Sequence, residues 1–217
     1  ISDDTDLSDD SLWSGQKYNI ERLADKLCAK TRARLIVDAL HKYLADEYTC
    51  RALCFCVNKR HADFMAEQLR LYGFNAQSLT SDTPADERKQ LAKDLREGTL
   101  HYLCVVDIFN EGVDIPEVDT VLFLRPTESL TIFLQQLGRG LRLSAGKTEL
   151  TVLDFVAQAN RKYDFASRFR ALTLQPEKNI QKQIKEGFTL LPLGCSIVME
   201  KKARQYILDN ITSAIYN

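Results

Sequence analysis

Residues 133–150, FLQQLGRGLRLSAGKTEL, hold two features that could each bind phosphate: an arginine pair and a Gly-Lys-Thr triplet. Arg139 and Arg142 stand at i and i+3, so on a helix they project from neighbouring positions of one face. Two adjacent guanidiniums repel, and an anion between them relieves the repulsion. Arginine's forked donors match phosphate oxygens bidentately. Gly138 beside them allows another backbone to approach closely. The alternative is a solvated pair on an amphipathic helix. The Gly-Lys-Thr at 146–148 fails the test for a phosphate loop, which needs a glycine five residues earlier, a preceding strand and a following helix. Leu141 occupies that position, and the strand-like ELTVLDFV follows, so the triplet reads as a loop between helix and strand.

The elements that position such residues come from periodicity. RALCFCV, NAQSLT, HYLCVVD, DTVLFL and ELTVLDFV read as strands. RHADFMAEQLRLYG, PADERKQLAKDLREG, SLTIFLQQLGRGLR and RKYDFASRFRAL read as helices between and after them. This alternation predicts an α/β fold, a parallel sheet with helices on both faces. NIERLADKLCAKTRARLIVDALHKYL precedes it as one long helical stretch. Residues 1–18 read as a polar linker, 19–173 as the main domain, and 174–217 as a short helical C-terminal appendage or the start of a further domain. In an open α/β sheet, ligands collect beyond the carboxyl ends of the strands, where helix N-termini expose backbone N–H groups. That rule selects Asn58, Lys59 and Arg60 after the first strand, Thr80, Ser81 and Asp82 after the second, and IFNEGVDIPEVD after the third. The first two loops suit backbone phosphates; Asn58 and Ser81 equally suit a helix cap and a turn.

Composition excludes several classes. The chain of 217 residues has a formal net charge of −1, which excludes a strongly basic binding module. No apolar run is long enough to cross a bilayer, so no membrane partner is expected. The chain begins at Ile1 without a secretory signal and reads as a piece of a longer, cytoplasmic protein. Six cysteines show no Cys-x-x-Cys spacing, so no metal site is expected. Cys54 and Cys56 alternate along a strand and read as small buried hydrophobes.

With these residues in place, a family resemblance follows. Gln135, Gly138, Arg139 and Arg142, as Gln-x-x-Gly-Arg-x-x-Arg, resemble motif VI of the superfamily 2 helicases and translocases. CVVDIFNEGVDIPEVDTVLFL resembles their motif V, and LCFCVNKRHADFMAEQL their motif IV, in the family's order. The match covers about residues 20–173 and implies the second RecA-like domain of such a motor. The NEGVDIP and QQLGRGLR forms are more similar to restriction-type DNA enzymes, of the type III restriction Res-subunit kind, than to DEAD-box RNA helicases.

The resemblance implies that Arg139 and Arg142 reach the γ-phosphate of ATP as an arginine finger. It implies nucleotide contacts at Gly112, Asp114, Gln135 and Gly138, with Asp114 on the ribose. It places Asn58, Lys59, Thr80, Ser81 and Asp107 along the nucleic-acid backbone, double-stranded DNA being the expected partner. ATP and Mg²⁺ would be held mainly by a first RecA-like domain, because neither a Walker A nor a Walker B motif occurs in this chain. The chain alone is therefore expected to be inactive. The alternative is a RecA-like binding or regulatory module without motor activity. A dinucleotide-binding oxidoreductase lacks its Gly-x-Gly-x-x-Gly.

Overall fold

Three short runs, Ala52–Phe55, Tyr102–Val105 and Thr120–Phe123, bury every residue, as strands must when both faces of a parallel sheet are covered. The structure, a computed structural model, describes residues 1–106, 115–126, 147, 149–170, 179–188, 191 and 195–215. The strands are β1 (Ser2–Leu7), β2 (Trp13–Ser14), β3 (Lys17–Tyr18), β4 (Ala52–Phe55), β5 (Ala76–Leu79), β6 (Tyr102–Val105), β7 (Thr120–Phe123), β8 (Thr151–Asp154) and β9 (Val156–Ala159). The helices are α1 (Ile20–Leu27), α2 (Lys30–Tyr43), α3 (Lys59–Leu71), α4 (Ala85–Glu97), α5 (Phe165–Arg170), α6 (Ile180–Glu186) and α7 (Lys201–Ile215).

The described residues form two units. One comprises 20–106, 115–125, 147 and 149–155; the other comprises 1–19, 126, 156–170, 179–188, 191 and 195–215. The first is built on a five-stranded parallel sheet in the order β5-β6-β4-β7-β8. Phe55 stacks on Phe123 across β4 and β7 at 5.6 Å between ring centroids. Cys54, Cys56 and Cys104 are fully buried free thiols, and burial raises the Cys56 thiol well above its ordinary range. Helix α3 packs on β5 and β6 and touches α1 and α2, while α4 also packs on β5 and β6. Right-handed crossovers put α3, which carries the chain outward to β5, and α4, which returns it to β6, on opposite faces. This is the expected α/β, RecA-like layering.

The stretch 19–44 differs from the single helix its periodicity predicts. It breaks at Ala29, which is extended at φ −116° and ψ 133°. The break lets α1 bury Leu23, Ala24 and Leu27 while α2 separately buries Arg32, Ala33, Ile36, Val37 and Leu40. ELTVLDFV also divides: β8 ends at Asp154 and β9 begins at Val156.

The second unit contains the polar lead-in, which is structured where the sequence read as a linker. Strand β1 pairs in parallel with β9, Ser2 opposite Val156 and Leu7 opposite Ala159. β2 and β3 form a small hairpin that brings Trp13 edge-on to Tyr18 at 4.7 Å. Asn160, fully buried, ties these pieces together. Its N–H donates to the Tyr18 hydroxyl (2.7 Å), and its Nδ2 donates to Ser8 O (2.9 Å) and Asp10 Oδ1 (3.0 Å). Its Oδ1 accepts from Lys162 N (3.0 Å), and its carbonyl accepts from Asn210 Nδ2 of α7 (2.8 Å). Residues 174–217 contribute the two expected helices, α6 and α7, to this same unit.

Candidate nucleic-acid interface

The loops at the carboxyl ends of β4 and β5 start the two helices α3 and α4. At the first, Asn58 is extended and its Oδ1 accepts from His61 N at 3.0 Å, capping α3. Its Nδ2 donates to Glu21 Oε1 of α1 at 3.1 Å. Arg60 adds an ion pair to Asp25 at 2.6 Å, so α1 is fastened to the start of α3 at two points.

The second loop is a closed turn. Thr80 N donates to Thr83 Oγ1 at 3.0 Å, and Thr83 N donates to Thr80 O at 3.1 Å. Arg88, one turn into α4, clasps the turn from its other side, with Nε on Thr83 O and Nη2 on Ser81 O, each at 2.7 Å. The two loops meet through Lys59 Nζ and Asp82 Oδ1 at 2.6 Å. Both partners are exposed, at 49% and 75% of their side-chain surface.

Of the residues selected from sequence, the structure therefore places Asn58, Lys59, Thr80 and Ser81 on two touching loops at one edge of the sheet. Asn58 also carries the capping role that was the alternative for it, and Ser81 sits in the turn closed by Thr80 and Thr83, as its own alternative had it. Asp107, Gly112, Asp114, Gln135, Gly138, Arg139 and Arg142 lie outside the described residues. Asp82, selected by the same rule, lies in the second loop. Sequence reading missed Arg88 as a part of the surface; its only signal is position, just after a loop that follows a strand.

The Gly-Lys-Thr lysine lies elsewhere. Lys147 donates to Pro116 O at 3.3 Å, and these residues precede β8 and β7 respectively. That is the amino edge of the sheet, opposite the ends where an α/β fold collects its ligands.

Behind the α3 start lies a fully buried histidine. His61 Nδ1 accepts from Val57 N at 3.2 Å, so the neutral ring carries its proton on Nε2. Burial, and then the positive charges of Arg32, Arg125 and Arg60, hold its pKa well below the ordinary histidine value. Arg32 in turn donates to Leu124 O at the end of β7, at 2.9 Å. The folded-state pKa is depressed, so the unfolded chain binds the proton first as pH falls below about 6.5. His61 thus costs no stability above that pH and lowers stability below it, by at most about 1.4 kcal/mol per pH unit. Urea midpoints measured from pH 7.5 to 5 should fall less steeply in His61→Gln than in the native sequence. Parallel slopes would refute the assignment.

Comparison with known proteins follows this geometry. Residues 35–144 match the family described as Helicase conserved C-terminal domain, which is half of the chain. The chain belongs to this family. A Saccharomyces cerevisiae protein named as a candidate ATP-dependent helicase, IRC3, is 34% identical over 108 residues, covering 50% of this chain and 16% of that protein. The Type I restriction enzyme EcoKI endonuclease subunit of Escherichia coli is 25% identical over 201 residues, covering 86% of this chain and 17% of its own length. The chain thus spans about one sixth of each of these relatives. Among solved structures, the yeast DEAD-box splicing factor Prp28 superposes with a TM-score of 0.58 at 17% identity, covering 82% of this chain and 34% of that one. That likeness supports the fold. The helicase C-terminal domain is accordingly that of superfamily 2, RecA-like, with a restriction-type relative that matches 86% of this chain. Among the described residues, no helix is long and apolar enough to cross a membrane.

Proposed function

We propose that this helicase C-terminal domain is the second motor lobe of an ATP-dependent DNA translocase or helicase, and that it works only with a first RecA-like lobe of the same protein. The observation that carries the reading is the junction of the two carboxyl-edge loops, where Lys59 and the Thr80–Thr83 turn form one surface joined at 2.6 Å. A strand of nucleic acid laid there meets the exposed Ser81, the Lys59 ammonium and the N-terminus of α3, a set that suits phosphates and reads no bases. Asn58, Thr80 and Asp107 belong to the same path in this reading. The restriction-type relative favours double-stranded DNA as the partner.

Arg139 and Arg142 would stabilise charge accumulating on the γ-phosphoryl oxygens of ATP, the role an arginine finger plays in phosphoryl transfer. Asp114 would accept from the ribose hydroxyls. Gln135, Gly138 and Gly112 would let the backbone approach the nucleotide. Mg²⁺, held mainly by the first lobe, would supply charge neutralisation at the phosphates.

The test is ATP turnover by the full-length protein with double-stranded DNA, single-stranded DNA and RNA in turn. Double-stranded DNA should stimulate most, and residues 1–217 alone should hydrolyse nothing. Turnover indifferent to every nucleic acid would instead favour a regulatory module.

A further inference from the structure

Lys59 reaches out on a flexible four-carbon stem, whereas the carboxylate it meets is held by a turn that cannot easily move. The Asp82 N–H lies 3.4 Å from Thr80 Oγ1, and the carbonyls on either side of Asp82, those of Ser81 and Thr83, are both held by Arg88 at 2.7 Å. The Asp82 side chain is 75% exposed, and among the described residues its carboxylate meets the Lys59 ammonium. We infer that Asp82 is a built-in competitor of the nucleic-acid phosphate: it occupies Lys59 in the free protein and, on its short stem from a braced turn, stays as a negative charge beside the backbone path once Lys59 swings to a phosphate.

Its effect is a threshold. A single anion gains little by displacing a carboxylate already bound to the ammonium. A continuous phosphate backbone, which also engages the α3 N-terminus and the Thr80–Thr83 turn, meets the same cost but binds in spite of it through its other contacts. Asp82 thereby lowers the affinity of every phosphate at Lys59, so that only a ligand with several contacts stays bound. The inference rests on the proposed nucleic-acid path. It adds the carboxylate that sets how tightly, and with what salt dependence, that path is occupied.

The experiment measures Kd for a fluorescein-labelled duplex and for the matching single strand, from 50 to 300 mM salt on the order used for such titrations. It uses the full-length protein and its Asp82→Asn, Lys59→Met and double variants, with melting temperature followed for each. Asp82→Asn should bind about twofold to fivefold tighter at low salt, the range for releasing one exposed ion pair. The gain should shrink as salt rises, and it should be smaller between Lys59→Met and the double variant, because without Lys59 only the repulsion between Asp82 and the phosphates is left to remove. Equal or weaker binding by Asp82→Asn at an unchanged melting temperature overturns the inference while leaving the proposed path intact. A lowered melting temperature with weaker binding also overturns it, since Asp82 then only braces the turn. If neither the native protein nor any variant binds nucleic acid, both the path and the inference fail together.

Discussion

Replacing Arg139 with alanine in the full-length protein should lower nucleic-acid-stimulated ATP turnover by about a thousandfold or more, the loss seen when an arginine finger is removed. A thousandfold corresponds to about 4 kcal/mol of transition-state stabilisation. The size of the effect follows from where the charge develops. A guanidinium placed against the γ-phosphoryl oxygens interacts weakly with the bound ground state and strongly with the state in which the phosphoryl group is in transit. The nucleotide's KM should therefore change much less than kcat. Arg139→Lys keeps the charge but loses the planar fork, so it should recover only part of the activity. Arg142→Ala should resemble Arg139→Ala in direction. The decisive comparison is kcat against nucleic-acid Kd: a normal Kd with lost turnover supports the assignment, and turnover equal to the native enzyme refutes it.

The largest structural effect should come from Asn160→Leu. Leucine fills a similar volume but gives Ser8 O no donor and Lys162 N no acceptor, groups now bonded at 2.9 and 3.0 Å. Leaving such groups unpaired costs about 1–3 kcal/mol each when buried; both bonds here are only part-buried, so the lower part of that range applies and a loss of roughly 2–4 kcal/mol in all is expected. For a chain of this size that is a fall in melting temperature of roughly 4–16 °C. The loss should be local as well as global. Hydrogen exchange should quicken first in β1 and in the β2–β3 hairpin, which Asn160 fastens through Ser8, Asp10 and Tyr18. A shift under about 1 °C, against the principle that buried polar losses are large, would show the hub to be dispensable.

The parallel sheet was legible because ALCF, YLCV and TVLF are short, continuous and bounded by polar residues, the pattern of strands covered on both faces. Asn58, Lys59, Thr80 and Ser81 could be singled out because a rule about strand ends needs no long-range information. The division of 19–44 into α1 and α2 was not legible. No glycine or proline marks Cys28 or Ala29, and only tertiary packing decides that Leu27 and Ala33 bury from separate helices. The role of the lead-in was hidden for a different reason. SDDTDL carries no apolar alternation of its own, and its partner strand lies 154 positions later at Val156. Asn160 gives no local signal either, since one polar residue after VAQA looks like the end of a strand. Asp82 was legible by its place beyond a strand end but not by its role: an aspartate in a polar loop is the commonest of turn residues, and only the Lys59 contact distinguishes it.

The pairing of Ser2 with Val156 sets an order of events on the ribosome. Strand β1 finds its neighbour only after the intervening residues have been made, a wait of about 8–30 s at 5–20 residues per second. The sheet that runs from β4 to β8 is complete before then. Strand β1 is consequently made well before the sheet strands yet tied in only after them, and until β9 leaves the exit tunnel it remains open to proteases and to chaperones.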